Sequence, residues 1–215
     1  MSAADVPHTA PPAMCEGSFQ ALRVVSCQLF DALADLHGFS ESDCGLLSRA
    51  VSGIRFMRSG DHISAVEHSL FHRTLVDLET NDTWVVEAAA HYAADQPADC
   101  EIDGVRRATP NDHTRALWFG ALLRLSDALH CLSPRDTPTA VNAAWTDDML
   151  FLEFEGGALR EHQLQSARSK VAALELLAGR RVFLASPPAR RTVLWDDSAA
   201  AQRGGEESSG IAGSG

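Results

Sequence analysis

Lysine is nearly missing from this chain. Lys170 is the only one among 18 basic residues, and Tyr92 is the only tyrosine in 215 residues. No apolar run approaches the roughly 20 residues that a helix needs to cross a bilayer, which argues against a membrane-spanning protein. No glycine-rich phosphate-loop signature is present, so nucleotide binding of that kind is excluded. The cysteines are Cys15, Cys27, Cys44, Cys100 and Cys131. Their number is odd and no two stand in a CxxC pair, which excludes a zinc-ribbon or thioredoxin-type motif. No leader pattern of charged, apolar and cleavage-site residues opens the sequence. Free thiols in a reducing cytoplasm are therefore expected.

Cationic surplus is absent too. The formal net charge is -11. General nucleic-acid binding needs clustered cations facing phosphates, and an anionic membrane surface needs the same, so neither partner is expected. The bias toward arginine has two readings. It follows from GC-rich codons, or it reflects the planar fork that holds phosphate in two places at once.

What is present is helical periodicity. Hydrophobic residues make up 45% of the chain, enough for a sizeable core. Met1 to Glu16 carries Pro7, Pro11 and Pro12 with no apolar repeat, so residues 1–16 are expected to be a disordered tail. Phe19, Leu22, Val25, Cys27, Leu29, Phe30, Leu33 and Leu36 recur at helical spacing, and Gly38 is a natural stop. Ser40 then opens a second helix, with Asp43 three residues on as a capping-box acid. A third helix is expected from about Ser64 to Leu78, and a fourth from Trp84 to Ala94 behind an Asn81-Asp82 cap. Pro97, Gly104 and Pro110 predict a loop from Gln96 to Asp112, with Asp103-Gly104 as turn chemistry. A long apolar helix follows from about His113 to Cys131, stopped by Ser133-Pro134.

The pattern then changes. Ala140 to Trp145 and Met149 to Glu155 read as a hairpin around Thr146-Asp147-Asp148. Gln163 to Leu177 reads as helix with Gly179 as its C-terminal glycine. Val182 to Ala185 is a strand candidate, and Thr192 to Trp195 a weaker one. Ser198 to Gly215 is rich in Gly, Ser, Ala and Glu and predicts a second disordered tail. The expected fold is mainly α: a helical bundle over residues 17–135, then a small α+β segment over residues 136–197.

Three stretches carry a family resemblance. They are Gln28-Leu29-Phe30-Asp31-Ala32-Leu33-Ala34-Asp35-Leu36-His37-Gly38, then Glu67-His68-Ser69-Leu70 followed by Ala90-His91-Tyr92, then Ala121-Leu122-Leu123-Arg124-Leu125-Ser126-Asp127-Ala128-Leu129. In this order they resemble the C-terminal HD-like helical domain of the exopolyphosphatase and guanosine-pentaphosphatase (Ppx/GppA) family. The closing strands and helix from Val141 to Ala185 also match that family's last segment. The resemblance runs from about Phe19 to Ala185, and implies a free-standing copy of the accessory domain without the family's ATPase-like domains.

HD domains hold one or two divalent metals on an early histidine, a His-Asp pair, further histidines and a late aspartate. Imidazoles and carboxylates suit such metals, and the metal makes hydroxide from bound water near neutral pH. By the resemblance, His68 and His91 fit the further histidines and Asp127 the late aspartate. The early histidine should fall within residues 18–22, where there is none. The His-Asp pair should fall at Gly53-Ile54-Arg55, where it is absent. His68 and His72 are four apart and share a helix face. With His91 and Asp127 they form the candidate metal set, for Zn, Mn, Ni or Mg; His62 and Glu67 lie near them in sequence. The alternative is that His62 and His72 are ordinary polar surface residues.

Arg55 stands where the family has a metal-binding aspartate. A guanidinium repels a cation, but it can pair with Asp127 or hold a phosphate. Arg55, Arg58 and Arg124 are the anion-binding candidates, with Arg49 and Arg73 as further contributors to a positive patch. No catalytic residue can be named from residue order alone. Three functions stand open. The first is a non-catalytic or regulatory domain that takes a small phosphorylated ligand or a protein partner, with dimerisation through an apolar helix face. The second is a metal-dependent hydrolase of phosphoanhydride or phosphate-ester bonds. The third is a plain protein-interaction module.

Overall fold

The computed structural model describes residues 16–58, 71, 73–94, 108–129, 137–156 and 159–186, with side chains of the first stretch from residue 19 to 54. Glu16, the last residue of the predicted N-terminal tail, is helical; the rest of both predicted tails, most of the third predicted helix, the segment around Asp103-Gly104 and the Thr192 to Trp195 strand candidate lie outside the described residues. The fold is mainly helical, with a three-stranded sheet near the C-terminal end. None of the described helices is long and apolar enough to cross a membrane.

Helix α1 (Glu16–Ala32) buries one stripe, Leu22, Val25, Leu29 and Phe30. It does not run straight on to Leu36 as its apolar spacing suggests. The backbone turns at Leu33, and a short α2 (Ala34–His37) follows, ending at Gly38 with φ +68°. That left-handed conformation is what the glycine supplies. Helix α3 (Glu41–Arg58) starts behind Ser40, whose N–H donates to Asp43 Oδ2 at 2.9 Å. The predicted acid of the cap is thus in use.

Helix α4 (Thr80–Ala93) begins four residues earlier than Trp84, and Asn81-Asp82 sits in its first turn rather than before it. Helix α5 (Pro110–Ala128) also begins earlier than expected, because Thr109 and Asp112 form a full capping box and Pro110 takes the first helical position. Proline fits there because the first N–H has no helical partner to lose.

Helices α3, α4 and α5 run in the same direction and pack closely. A Cβ placed on Gly53 of α3 would lie 2.7 Å from Ala90 Cβ of α4 and 2.8 Å from the Phe71 ring. One placed on Gly120 of α5 would lie 2.6 Å from Tyr92 Cβ. Small residues at the crossings let the helix axes approach closely. Around them Leu47, Val51, Ile54, Val85, Phe119, Leu122, Leu123 and Leu125 are fully buried. Each such side chain stabilises the fold by about 1.5–3 kcal/mol.

Strands β1 (Ala140–Trp145) and β2 (Met149–Glu155) form the predicted antiparallel hairpin, with Val141 opposite Phe154 and Ala143 opposite Leu152. Strand β3 (Arg181–Ala185) adds in parallel to β2. A parallel neighbour requires a crossover, here made by α6 (Glu161–Arg168) and α7 (Ala172–Ala178). The single helix expected over this stretch is broken by a turn at residues 169–171. Gly179 closes α7 at φ +63°. The inward face of the sheet carries Leu150, Leu152, Phe154 and Leu184. Gln28 of α1 donates to the Thr139 carbonyl at 3.0 Å and so ties β1 to the bundle. Buried Gln163 does the same for α6: its Oε1 accepts from Arg160 N–H, and its Nε2 donates to the Leu129 carbonyl at the end of α5, both at 2.7 Å.

Candidate functional site

The N-termini of α3, α4 and α5 meet at one cation. Asp43, Asp82 and Asp112 are each the third residue of their helix. Carboxylates there face the positive end of the helix dipole. Three such ends brought together would repel one another, and the aspartates screen that repulsion. Arg115 binds all three: Nη2 lies 2.5 Å from Asp43 Oδ1 and 3.0 Å from Asp82 Oδ1, and Nη1 lies 3.3 Å from Asp112 Oδ1. Its Nε also donates to Asp43 Oδ1 at 2.8 Å.

Burial pushes the Asp43 carboxyl up, but donation from the Ser40 hydroxyl and N–H and the Arg115 charge outweigh it. Asp43 therefore titrates below its ordinary value. Asp112 follows the same logic, with burial opposed by the Thr109 N–H and hydroxyl and by Arg115. Burial alone would lower the Arg115 guanidinium; Asp43 and Asp82 more than offset it, and hold it above its usual value. Three carboxylates around a point could hold a divalent metal, but here the guanidinium already fills that point. The cluster is a clasp rather than a metal centre.

His37 sits beside this clasp in an aromatic nest. Its ring centroid lies 4.4 Å from Phe30, 4.9 Å from Phe39 and 5.7 Å from Trp118. The Phe39 N–H donates to Nδ1 at 3.0 Å, so Nδ1 carries no proton, and Nε2 donates to the Phe30 carbonyl at 2.9 Å. Burial lowers the His37 pKa, against the opposing pull of the Phe30 carbonyl and the Asp43 and Asp31 charges. A neutral, fully bonded imidazole is the result.

The residues expected from the sequence lie at the other end of the same three helices. His91 is buried in the last turn of α4, and Asp127 and Arg124 are half-buried in the last two turns of α5. Arg55 and Arg58 belong to the last turn of α3, and their side chains lie outside the described residues. At 1.5 Å rise per residue these positions stand about 13–22 Å along their helices from the clasp. His62, Glu67, His68 and His72 lie outside the described residues. Among the described residues no group of three or more His, Cys, Asp and Glu is placed to hold a metal. Arg49 donates to the Thr74 carbonyl and so caps the chain near Phe71, while Arg73 is exposed. Trp84 and Trp118 are core residues, and Trp145 is partly exposed at the sheet end.

No histidine occupies residues 18–22 and no His-Asp pair occupies residues 53–55, the positions that the HD resemblance would fill. Ala21 and Leu22 are buried in the core where the early histidine would stand. Gly53 has no side chain, and Ile54 is buried. The space beside Gly53 is taken by Ala90 and Phe71. The sequence does not single out Arg115 or Asp112, and it marks Asp82 only as part of a cap. The signal was there: Thr109-x-x-Asp112 repeats the Ser40-x-x-Asp43 pattern. No protein-family model and no curated protein matches this chain.

Proposed function

We propose that this chain is a non-catalytic, HD-like helical domain of exopolyphosphatase type that takes a small phosphorylated ligand at the C-terminal ends of α3, α4 and α5. One observation carries the non-catalytic part. Where the resemblance puts the His-Asp pair, this chain has buried Ile54 followed by Arg55, and neither an alkyl side chain nor a guanidinium ligates a cation. The ligand part is supported by sequence positions that fall toward the same end of the bundle, Arg55 and Arg58 in the last turn of α3 and Arg124 in the penultimate turn of α5. Arginine forks supply paired donors for phosphate oxygens.

The second reading, a metal-dependent phosphohydrolase, is favoured by buried His91 on α4 and Asp127 on the adjoining α5. A thermal-shift panel separates the two. Inorganic polyphosphate, guanosine tetraphosphate and common nucleotides are each added in the presence of a chelator. The first reading expects at least one to raise the unfolding midpoint, and expects Arg55→Ala, Arg58→Ala and Arg124→Ala to weaken the shift. If none acts without metal, and midpoints rise only with zinc, manganese, nickel or magnesium, the second reading replaces it.

A further inference from the structure

Two of the five cysteines face each other across a helix pair. Cys27 lies on α1 and Cys44 on α3, both half-buried and both reduced. Cys27 Sγ is 3.3 Å from Ser48 Oγ, and Ser48 is one helical turn beyond Cys44 on the same face of α3. The Cys44 thiol is itself a hydrogen-bond partner of Cys27. Arg23 and Asp31, one turn before and one turn after Cys27, also act on Cys44. Cys44 therefore faces the 23-27-31 stripe of α1 with Cys27 at its centre.

We propose that Cys27 and Cys44 are a modification site: a dithiol that a hydroperoxide converts into a disulfide clamping α1 to α3. Cys27 makes the first attack: its sulfur bonds to the outer oxygen of the peroxide, and its thiol proton passes to the departing oxygen. The O–O bond breaks, water or an alcohol leaves, and Cys27 becomes a sulfenic acid. The Cys44 sulfur then attacks the Cys27 sulfur. The S–S bond forms, the S–O bond breaks, and the hydroxyl leaves as water with the Cys44 proton. The two thiols lose two electrons, and the peroxide gains them. An external dithiol reverses the change by exchange.

The division of roles follows from surroundings. Burial, the Cys27 sulfur and the Asp31 charge push the Cys44 thiol up to about 12, so it keeps its proton until the second step. Partial exposure of the pair gives a small peroxide access. Clamping constrains the unfolded chain across a short loop, so oxidation stabilises the fold.

The test uses the full chain treated with hydrogen peroxide and mapped by mass spectrometry without reduction. Residues 24–49 form one tryptic peptide holding both cysteines, and Glu41 lies between them. The expected product is this peptide lighter by two hydrogens. It should stay joined after cleavage at Glu41, and separate on adding a dithiol. The oxidised protein should melt on the order of 5–10 °C higher than the reduced one. The same crosslink should form when Cys15, Cys100 and Cys131 are all serine. Overoxidation of Cys27 or Cys44 without the joined peptide overturns the proposal. So does a joined peptide that forms only in urea, or one that pairs either cysteine with a different partner.

Discussion

Replacing Arg115 with methionine keeps most of the apolar stem and removes the cation. Three carboxylates at the start of α3, α4 and α5 are then left facing one another. The magnitude depends on burial. Exposed ion pairs contribute about 0.2–1 kcal/mol, whereas removing one partner of a buried set costs about 3–5 kcal/mol because the remaining charge is stranded. Side-chain exposure is 13% for Arg115, 11% for Asp43 and 7% for Asp112, which belongs to the buried case. Asp82 is 31% exposed and adds less. Arg115→Met should therefore destabilise by about 3 kcal/mol at pH 7. In urea unfolding this is a clear shift of the midpoint with an unchanged slope.

The pH dependence checks the cause. Asp43 and Asp112 titrate below their unfolded value of about 3.9. Their contribution is full above that pH, and is lost as pH falls through the folded values. In Arg115→Met the carboxyls take up protons more readily, so the gap to the parent protein should narrow below about pH 4. Adding Asp43→Asn to Arg115→Met should recover part of the loss, since Asn can still accept from Ser40 N–H. A loss under about 1 kcal/mol would place the clasp with exposed surface pairs. A gap that widens toward low pH would refute the electrostatic account.

Two further perturbations follow from single residues. The His37 pKa is lowered by burial, so its share of stability is complete above about pH 6.5 and is lost as pH falls below it. An imidazole NMR titration should give a midpoint below that value, and His37→Phe should flatten the stability slope just beneath it; a midpoint above it contradicts the nest geometry. Gly53→Ala sets two effects against each other. Helix propensity favours alanine by about 1 kcal/mol, but the added methyl meets Ala90 Cβ at 2.7 Å, and overpacking of this kind costs about 1–3 kcal/mol. Chemical denaturation should show a net loss, and a gain of stability would mean the crossing is looser than described.

Periodic features of the fold were legible in the sequence, and convergent ones were not. The apolar stripe of α1, the Gly38 and Gly179 stops, the Ser40 cap and the hairpin around Thr146 each rest on local chemistry, and each was readable. The breaks at Leu33 and at residues 169–171 were not, because apolar spacing alone does not report where a helix must turn to follow the core. The start of α5 lies earlier than the sequence suggests because Pro110, which reads as a loop marker, also suits the first helical position. Asp43 was read as a local cap, and its second role with Arg115, Asp82 and Asp112 depends on three helix ends meeting. At the candidate ligand end, the sequence names residues on α3, α4 and α5. The close packing of Gly53 against Ala90 joins residues far apart in sequence, and no local pattern reports it.

The non-catalytic reading is tested most directly by metal content and phosphate release together. Protein purified without an affinity tag is loaded with zinc, manganese, nickel or magnesium, desalted, analysed for metal, and incubated with polyphosphate and guanosine pentaphosphate. The expected result is no stoichiometric metal and no phosphate released above the buffer rate. Stoichiometric metal together with phosphate release that Asp127→Asn abolishes would contradict it.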